Sequence, residues 1–540
     1  MSVVTLSAAA PKLTPSQIHT LSATAGLTIN EAHVDDFARL LGALDESVQS
    51  VLAAADYVPH LDLTKYPRTA IKYIPDHPEL SDKGGWASRC LATCTAPTNA
   101  RLKGRTVALK DNVALAGVRC TNGTAAMAWT PALDATIATR ILDAGATITG
   151  KAACENACME GVSDTSVTGS VQNPYAEGYS CGGSSSGSGR LVAVGAVDMA
   201  VGCDQGGSIR IPASMCGIVG LKPTWGLVPY TGIISLESTI DHAGPMTTTV
   251  RDAALLLETL AGPDAIDDRQ PAYLPPGTLA YTQNLALALA SAPNPAQPLT
   301  GTTIGVLAEG FALPDMAPSI HALCTSAVSK LKTLGATITD ISVPAHTNAA
   351  VVWMLSLPIA GGKQGLLSDL TGRKQLFLTD RVRASPRRQL SQAAFDALGP
   401  GGQNLWLRHL YLSEKYGPEL HAKCANLLRK ISDDYDRALD SVDVLVMPTL
   451  PSPPCKLFEH PAAHGPLERL GRNVGLVGNT APFNSTGHPA LTIPVGFVPA
   501  LDDAAVKLPA GLQIVGRKFG DGECLRVGAA WEAAFDWKTL

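Results

Sequence analysis

The feature that most constrains the fold is an alternation of short β-like runs with alanine-rich stretches, which begins at Gly104. The stretch from Ala135 to Ala144 has helical character, and Gly145 follows it as a C-cap. The β-like runs are short, apolar and rich in β-branched residues, at 106–109, 147–149, 197–201, 303–307 and 442–446. This texture predicts an α/β fold, with a mixed β-sheet core that helices cover.

Two other segments have a helical texture. Residues 1–95 contain a Thr14-Pro15 cap and a capping box at 28–31, which predict an N-terminal α-helical domain. An apolar stripe at spacings of three and four either packs on that domain or forms a dimerisation arm; it comprises Val34, Phe37, Leu41, Leu44, Val48 and Val51. Residues 346–440 are richer in Arg, Lys, Gln and Leu at helical spacing, and we expect a helical insertion that shapes a pocket. The core would then comprise residues 96–345 and 441–540.

Composition excludes several classes of protein. The 540 residues are 46% hydrophobic and 16% charged, which excludes disordered and fibrous chains. A net charge of −5 gives no sign of the basic surface that nucleic-acid-binding proteins use, so that class is not expected. No run of 18 apolar residues and no signal peptide is visible, so we expect no membrane span. The 12 cysteines form no C-x-x-C and no zinc-like cluster, which favours reduced thiols, a cytoplasmic location and no metal.

Two glycine- and serine-rich segments, 182–188 and 202–212, carry the strongest chemical signal. Glycines beside serines expose successive backbone N–H groups, so a serine there could be both a nucleophile and the neighbour of an oxyanion hole. Taken alone, each segment would favour a flexible loop. The first also fits G-x-S-x-G, but a turn-rich loop precedes it where that motif needs a strand. Residues 145–151 resemble a P-loop, but Ala152 replaces the required hydroxyl residue.

A serine nucleophile needs a base. His242 and His488 lie in regions with a clear sequence pattern, but neither belongs to a motif that identifies it as a base. Lys110 ends an apolar strand and precedes Asp111, and burial at such a position is expected to lower its pKa. We expect Asp111 to point away from it, toward backbone amides.

Together these motifs resemble those of the amidase signature family, which are serine hydrolases with a Ser–cis-Ser–Lys triad. The matching stretches are 107–112, 182–188 and 202–212, the last continuing into 217–224. The chain is also similar to bacterial enantioselective amidases and yeast urethanase within that family, through residues 150–155, 226–232, 443–450 and 479–489. The resemblance covers residues 95–540, so 96–345 and 441–540 would form the catalytic core. In that subgroup a helical N-terminal extension makes a dimer contact, which implies a homodimer.

The resemblance also implies residue roles. Ser208 would be the nucleophile, Ser184 the proton relay after a cis peptide bond from Gly183, and Lys110 the general base. Backbone N–H groups of the oxyanion hole would come from Gln205, Gly206, Gly207 and Ser208, with support from Asp204, Arg210 and Ser185. Ser186 departs from the family, which usually has glycine there, and we expect it to be tolerated. The chemistry would need no cofactor.

The substrate is expected to be a small neutral amide, aliphatic or aromatic, or a carbamate such as ethyl carbamate. Pocket walls are expected from Met127, Trp129, Cys154, Ile234, Trp353 and Val477, although Trp353 could equally be a core residue. Three alternatives stay open: a glutaminase or amidotransferase component within a larger complex, a non-catalytic ligand-binding member, and a metal-dependent amidohydrolase.

Overall fold

The computed structural model describes residues 13–369, 373–384 and 390–540. Residues 1–12 of the predicted N-terminal domain, and 370–372 and 385–389 of the predicted insertion, lie outside the described residues. The chain forms two compact units that divide between Pro59 and His60.

The described residues of the first unit, from residue 13 on, contain two α-helices, α1 (Pro15–Thr24) and α2 (Val34–Ala53). The Thr14 cap is confirmed: Gln17 N–H donates to Thr14 Oγ1 at 3.3 Å, and Thr14 N–H donates to Gln17 Oε1 at 2.7 Å. Asn30 caps the 3₁₀ turn before α2, and Val34 at its start is buried. The rest of the apolar stripe is partly or largely exposed, up to 73% at Val51.

The second unit is built on a twelve-stranded sheet, in the order β1-β2-β4-β3-β5-β7-β6-β11-β12-β10-β8-β9. The strands are β1 (Arg68–Tyr73), β2 (Trp86–Ala92), β3 (Thr106–Lys110), β4 (Thr147–Ala152), β5 (Met199–Asp204), β6 (Val219–Lys222), β7 (His242–Thr247), β8 (Thr303–Leu307), β9 (Thr337–Ile341), β10 (Val444–Pro448), β11 (Ala490–Pro499) and β12 (Lys507–Gly516). β3 pairs in parallel with β4 and β5, whereas β5 pairs antiparallel with β7. The sheet is therefore mixed, and the predicted α/β fold is confirmed.

Helices cover both faces of this sheet. They are α3 (Thr136–Asp143), α4 (Ser186–Ala193), α5 (Arg210–Cys216), α6 (Val250–Leu260), α7 (Tyr281–Ala290), α8 (Ala308–Phe311), α9 (Pro318–Thr333), α10 (His346–Gly361), α11 (Thr379–Ala384), α12 (Gln392–Asp396), α13 (Pro400–Asp440), α14 (Pro466–Gly471), α15 (Ala481–Thr486) and α16 (Asp521–Ala534). The largest hydrophobic cluster includes side chains of α3, α6, α9 and α16. A second cluster joins α4 and α5 to the opposite face.

The structure corrects the predicted end of the N-terminal helical domain, and it agrees with the helical character of residues 346–440. Residues 68–92, predicted to belong to an N-terminal helical domain with a linker near 80–100, instead contain β1 at the edge of the sheet and its neighbour β2. The periodicity of α2 does not continue past residue 53, so extending the helical domain to residue 95 was wrong. Most of the described part of 346–440 is helical, and α10 packs along α13, which breaks at Gly417.

Among the described residues, one helical stretch, His346–Leu367, is long and apolar enough to cross a membrane by length and composition alone. Buried core helices meet the same criterion, and 44% of the apolar window lies inside the protein.

Candidate active site

Strand alternation decides where the Lys110 side chain points. Val107 and Leu109 of β3 join the cluster on one face of the sheet, whereas Ala108 joins the cluster beneath α4 and α5. Lys110, two residues after Ala108, therefore faces the same side as Ala108. The two serine-bearing loops precede α4 and α5 on that side, so the topology brings together residues that are far apart in sequence.

Lys110 is fully buried and its ammonium makes two hydrogen bonds. Nζ lies 2.8 Å from Ser184 Oγ and 3.1 Å from the carbonyl oxygen of Cys203. The peptide bond between Gly183 and Ser184 is cis, as the resemblance implies. A Cβ at Gly183 would lie 2.6 Å from the carbonyl oxygen of Glu160, so this position requires glycine.

Ser208 lies on the loop between β5 and α5, next to the Ser184 loop. The N–H of Ser185 donates to the Ser208 carbonyl at 3.2 Å, which ties the two loops together. Trp353 packs on the Ser208 loop, where its indole N–H donates to the Gln205 carbonyl at 2.9 Å. A Cβ at Gly206 would lie 2.6 Å from the Trp353 ring, which explains the glycine.

A buried ion pair between Asp204 and Arg210 supports the Ser208 loop. Arg210 Nε and Nη2 each lie 3.0 Å from the carboxylate of Asp204, and neither side chain is exposed. Arg210 also donates to the Thr480 carbonyl and to Gln513 Oε1, both at 2.8 Å. Burial alone would raise the Asp204 pKa, but Arg210 and the other donors hold it below its ordinary value. The predicted supporting role of this pair therefore has a geometric basis.

The structure narrows the set of oxyanion-hole donors. The N–H of Gly207 donates to Asp204 Oδ1 at 2.7 Å, so it is already used and is not free to meet an oxyanion. Including Gly207 was therefore wrong for this conformation, because the sequence does not reveal that Asp204 folds back under the loop. The N–H groups of Gln205, Gly206 and Ser208 stay candidates. Ser185 Oγ donates to the Cys203 carbonyl at 3.2 Å and braces the adjacent strand.

The electrostatics of Lys110 differ from the expectation. Burial lowers its pKa, but the cysteine side chains of Cys158, Cys203 and Cys154 and the carboxylate of Asp204 raise it, and the result lies above the ordinary value. The expected lowering was wrong because the sequence does not show that these groups surround Lys110. Asp111 does point away: it accepts the Thr121 N–H at 2.9 Å and lies 3.1 Å from Lys151 Nζ.

Ser186, the departure from the family pattern, has a specific partner. Its Oγ donates to Glu155 Oε1 at 2.7 Å, and the other carboxylate oxygen of Glu155 accepts from Thr165. Ser186 therefore points away from Lys110, and the extra hydroxyl is accommodated by a buried carboxyl group.

The predicted pocket residues lie in several environments. Trp353 contacts the Ser208 loop, and Cys154 lies beside Lys110. Met127 belongs to a hydrophobic cluster with Leu236, Leu366 and Trp406, against which Trp353 packs. The remaining predicted residues belong to two other clusters: Trp129 and Ile234 in one, and Val477 at the edge of the other.

Neither candidate histidine is placed to serve as the base. His242 Nδ1 lies 2.8 Å from the Ile240 carbonyl, and burial holds its pKa well below the ordinary value. His488 lies 3.0 Å from Asp436. Within residues 13–369, 373–384 and 390–540, no three His, Cys, Asp or Glu side chains are grouped to hold a metal ion. Chemistry without a cofactor stays a prediction.

Sequence reasoning missed one residue of the site. Cys158 lies beside Lys110, Ser184 and Cys154, close enough to interact with all three, and its thiol donates to Asn122 Oδ1 at 3.2 Å. The spacing from Cys154 to Cys158 was visible in the sequence, but it predicted only a shared helix face. In the structure these residues lie on an irregular turn, in which Ala157 and Cys158 both have positive φ.

Comparisons with known proteins find similar proteins over most of the chain. A family model described as Amidase matches residues 86–525. The chain is 41% identical over 446 residues to an enantioselective amidase of Rhodococcus rhodochrous, with 80% of each chain covered. It is 35% identical over 440 residues to a glutamyl-tRNA(Gln) amidotransferase subunit of Haloarcula marismortui, covering 79% of this chain and 95% of that protein. The solved structure of the peptide amidase from Stenotrophomonas maltophilia matches with a TM-score of 0.63 at 27% identity, covering 80% of this chain and 82% of that chain.

Proposed function

Because this chain belongs to the amidase signature family, we propose that it cleaves the C–N bond of small neutral amides through an acyl-enzyme on Ser208. The observation that carries the proposal is the 2.8 Å contact between Lys110 Nζ and Ser184 Oγ in a fully buried setting. A lysine held against a serine hydroxyl, with a second serine on the adjoining loop, forms a proton path that a purely structural lysine does not need.

The roles follow from what amide hydrolysis requires. Ser208 attacks the carbonyl carbon while its proton passes to Ser184, and Ser184 passes its own proton to Lys110. The free N–H groups of the 205–208 loop stabilise the oxyanion that develops. Ser184 then returns a proton to the departing nitrogen, and water hydrolyses the acyl-enzyme by the same route. Asp204 and Arg210 keep the loop in the geometry that this sequence of steps needs.

A neutral acyl group suits the cluster around Met127. Its members are apolar, and Trp353 connects this cluster to the Ser208 loop. We therefore place the acyl part of the substrate against this surface. Aliphatic and aromatic amides both fit that description, and carbamates such as ethyl carbamate share the same reactive carbonyl. A panel of matched amides, esters and carbamates would rank these classes.

A second candidate function is ammonia release from glutamine within a larger complex. The specific observation in its favour is the 35% identity to the Haloarcula marismortui amidotransferase protein, over 95% of that protein's length. Glutaminase activity that appears only on addition of partner proteins would support it. Turnover of simple amides by the chain alone would favour the amidase.

The test of the proposal is to locate the acyl-enzyme. A fluorophosphonate should label Ser208, and Ser208→Ala should abolish both labelling and amide turnover while leaving the fold unchanged. Ser186→Ala is the matched control, because its hydroxyl points to Glu155 and its loss should leave labelling in place. Labelling at Ser184 or Ser186 in the wild-type protein would contradict the proposal.

Two further properties belong to the proposal. A homodimer through the exposed stripe of α2 would cover apolar side chains such as Phe37 and Val51, which are 42% and 73% exposed. A cytoplasmic location fits the cysteines, all of which are free thiols within the described residues.

A further inference from the structure

The backbone of Gln205, on the loop that carries Ser208, is held by the helical insertion. Its carbonyl accepts the indole N–H of Trp353, on α10, at 2.9 Å. The peptide bond from Gln205 to Gly206 is trans, so its carbonyl and the Gly206 N–H point in opposite directions. The bond from Trp353 therefore also sets the direction of the Gly206 N–H, which is one of the candidate donors to the oxyanion.

The side chain of Gln205 is held as well, through its amide nitrogen. Nε2 donates to the hydroxyl of Tyr230 at 2.8 Å and to Asp241 Oδ1 at 3.1 Å. The amide oxygen Oε1 is buried and has no hydrogen-bond partner among the described residues. The position of the Gln205 side chain therefore depends on where Tyr230 and Asp241 hold its nitrogen.

Asp241 is held in turn by a hydrogen-bond network, Gln364–Ser235–Asp241, that begins on the insertion. The π-helical turn Gly362–Leu367 follows α10 directly, and Gln364 Nε2 in this turn donates to Ser235 Oγ at 2.6 Å. The Ser235 hydroxyl then donates to Asp241 Oδ2. Gln364 Oε1 accepts the Ser238 N–H at 3.1 Å, which fixes the orientation of the amide. Both hydrogens of the network point toward the Asp241 carboxylate, and hydrogen bonds aligned in this way strengthen one another.

Asp241 is a fully buried carboxylate, and its orientation depends on its hydrogen-bond donors. The N–H of Leu236 also donates to Oδ1, at 3.2 Å. Arg269 Nη1 lies 3.9 Å from Oδ2, which is too far for a hydrogen bond but close enough to attract the carboxylate. Without the Ser235 hydroxyl, we expect the carboxylate to turn toward Arg269, because a buried acceptor needs a partner. That turn would weaken its hydrogen bond with Gln205.

We propose that Gln364 and Ser235 are positioning residues, which act through Asp241 to hold Gln205 and the Gly206 N–H in the direction that the oxyanion requires. This inference rests on the proposed function. The insertion then has a role in the reaction besides shaping the pocket, because it orients part of the oxyanion hole. Since the effect passes through other side chains, the base and the nucleophile stay in place when the network is broken.

The test measures kcat and KM for benzamide, and the rate of fluorophosphonate labelling at Ser208. Gln364→Met and Ser235→Ala break the network at different bonds. Each should lower kcat and the labelling rate about tenfold, while KM and the acidic limb of the pH–rate profile stay unchanged. The double variant should lose no more than either single variant, because one break already frees Asp241. Ser235→Thr keeps the hydroxyl and should keep most of kcat.

Gln403→Met is the matched control for the glutamine substitution. Gln403 also lies in the insertion, but its Nε2 donates to the Phe395 carbonyl at 3.1 Å, outside the network. Its kcat and labelling rate should equal those of the wild type.

Three results would overturn the inference. An unchanged kcat in both single variants, whatever happens to KM, would mean that the network does not position the loop. Losses that add in the double variant would mean that Gln364 and Ser235 act independently. An equal loss in Ser235→Thr and Ser235→Ala would mean that the hydroxyl is not what matters. Failure of the proposed function looks different, because the wild-type protein would then show no labelling at Ser208.

Discussion

The buried carboxyl group of Glu155 offers a sharp test of the electrostatics beside the Ser184 loop. Burial raises the pKa of Glu155 to about 8, against an ordinary value of 4.5. Ser186 Oγ donates to one carboxyl oxygen at 2.7 Å, and the N–H and hydroxyl of Thr165 donate to the other at 2.8 and 2.6 Å. We predict that Glu155→Gln stabilises the protein increasingly as pH rises. Its carbonyl oxygen can accept both Thr165 donors, and its amide can donate to Ser186 Oγ.

The sign and size follow from proton linkage. Between pH values near 4.5 and 8 the folded protein holds a proton on Glu155 that the unfolded chain has released. The free energy of unfolding therefore falls as pH rises, by about 1.4 kcal/mol per pH unit from this group. The stabilisation by this group is fully present below the ordinary pKa of 4.5, and it is lost as pH rises past the raised pKa of about 8. Glutamine cannot ionise, so the variant should gain on the wild type by about 1.4 kcal/mol per pH unit, to a ceiling of about 5 kcal/mol.

Urea denaturation of the wild type and Glu155→Gln across this pH range measures the difference directly. Glu160 and Glu237, which are also buried acids with raised pKa values, titrate equally in both proteins and cancel. The exposed substitution Glu414→Gln is the control and should show no such pH-dependent gain. A difference between wild type and Glu155→Gln that is flat with pH, or that shrinks as pH rises, would refute the reasoning.

Three further predictions concern other parts of the chain. Arg210→Met should destabilise the protein by about 3–5 kcal/mol in urea denaturation, because it leaves the Asp204 carboxylate buried without its charge partner, and a milder loss in the double variant with Asp204→Asn would attribute the cost to that charge. Trp353→Phe should lower kcat/KM about threefold to tenfold, because it removes the indole N–H that bonds the Gln205 carbonyl. An unchanged kcat/KM would mean that this hydrogen bond does not position the Ser208 loop. A chain that starts at residue 60 should be a monomer in light scattering if α2 forms a homodimer, with somewhat less than half the mass of the full-length assembly. An unchanged number of protomers would contradict that interface.

Much of the fold follows from local pattern. The β-like runs near 106–109, 147–149, 303–307 and 442–446 correspond to strands of the sheet, because short β-branched segments between glycine-rich turns have few alternatives. The Thr14 cap was also predictable, since both members of its capping box lie within four residues. By contrast β1 and β2 lie next to a helical segment and carry polar side chains. The strand character of β2 comes from pairing with β4, which is distant in sequence, and β1 in turn pairs with β2.

The candidate site likewise has features that local sequence predicts and features that it does not. Lys110, Ser184 and Ser208 occur in recognisable motifs, and the structure places Lys110 and Ser184 in direct contact. Two features could not be read from the sequence. The use of the Gly207 N–H by Asp204 depends on how the loop folds back, and the place of Cys158 depends on a turn with two consecutive positive φ values. Both are set by tertiary contacts, which override local propensity.

Three fully buried lysines lie in the same sheet, and in the proposed mechanism geometry, and not pKa alone, distinguishes the base among them. Lys151 is held by the Asp111 carboxylate at 3.1 Å. Lys222 has the lowered pKa that a base needs, caused first by burial and then by Arg210, but its Nζ donates to the Pro223 carbonyl at 3.0 Å. Lys110 has the less favourable pKa, yet its Nζ contacts Ser184.

This comparison gives a final prediction. Lys110→Met should lose amide turnover by orders of magnitude, whereas Lys222→Met should keep both the rate and its pH profile. Lys222→Met should also be more stable than the wild type at neutral pH. The folded wild type holds Lys222 with a lowered pKa, so unfolding takes up a proton there and the wild type loses stability as pH falls below the ordinary lysine value. Parallel pH–rate profiles and urea denaturation of the two variants measure both effects. Loss of the acidic limb in Lys222→Met, with Lys110→Met still active, would mean that Lys222 and not Lys110 is the base, and would overturn the proposed mechanism.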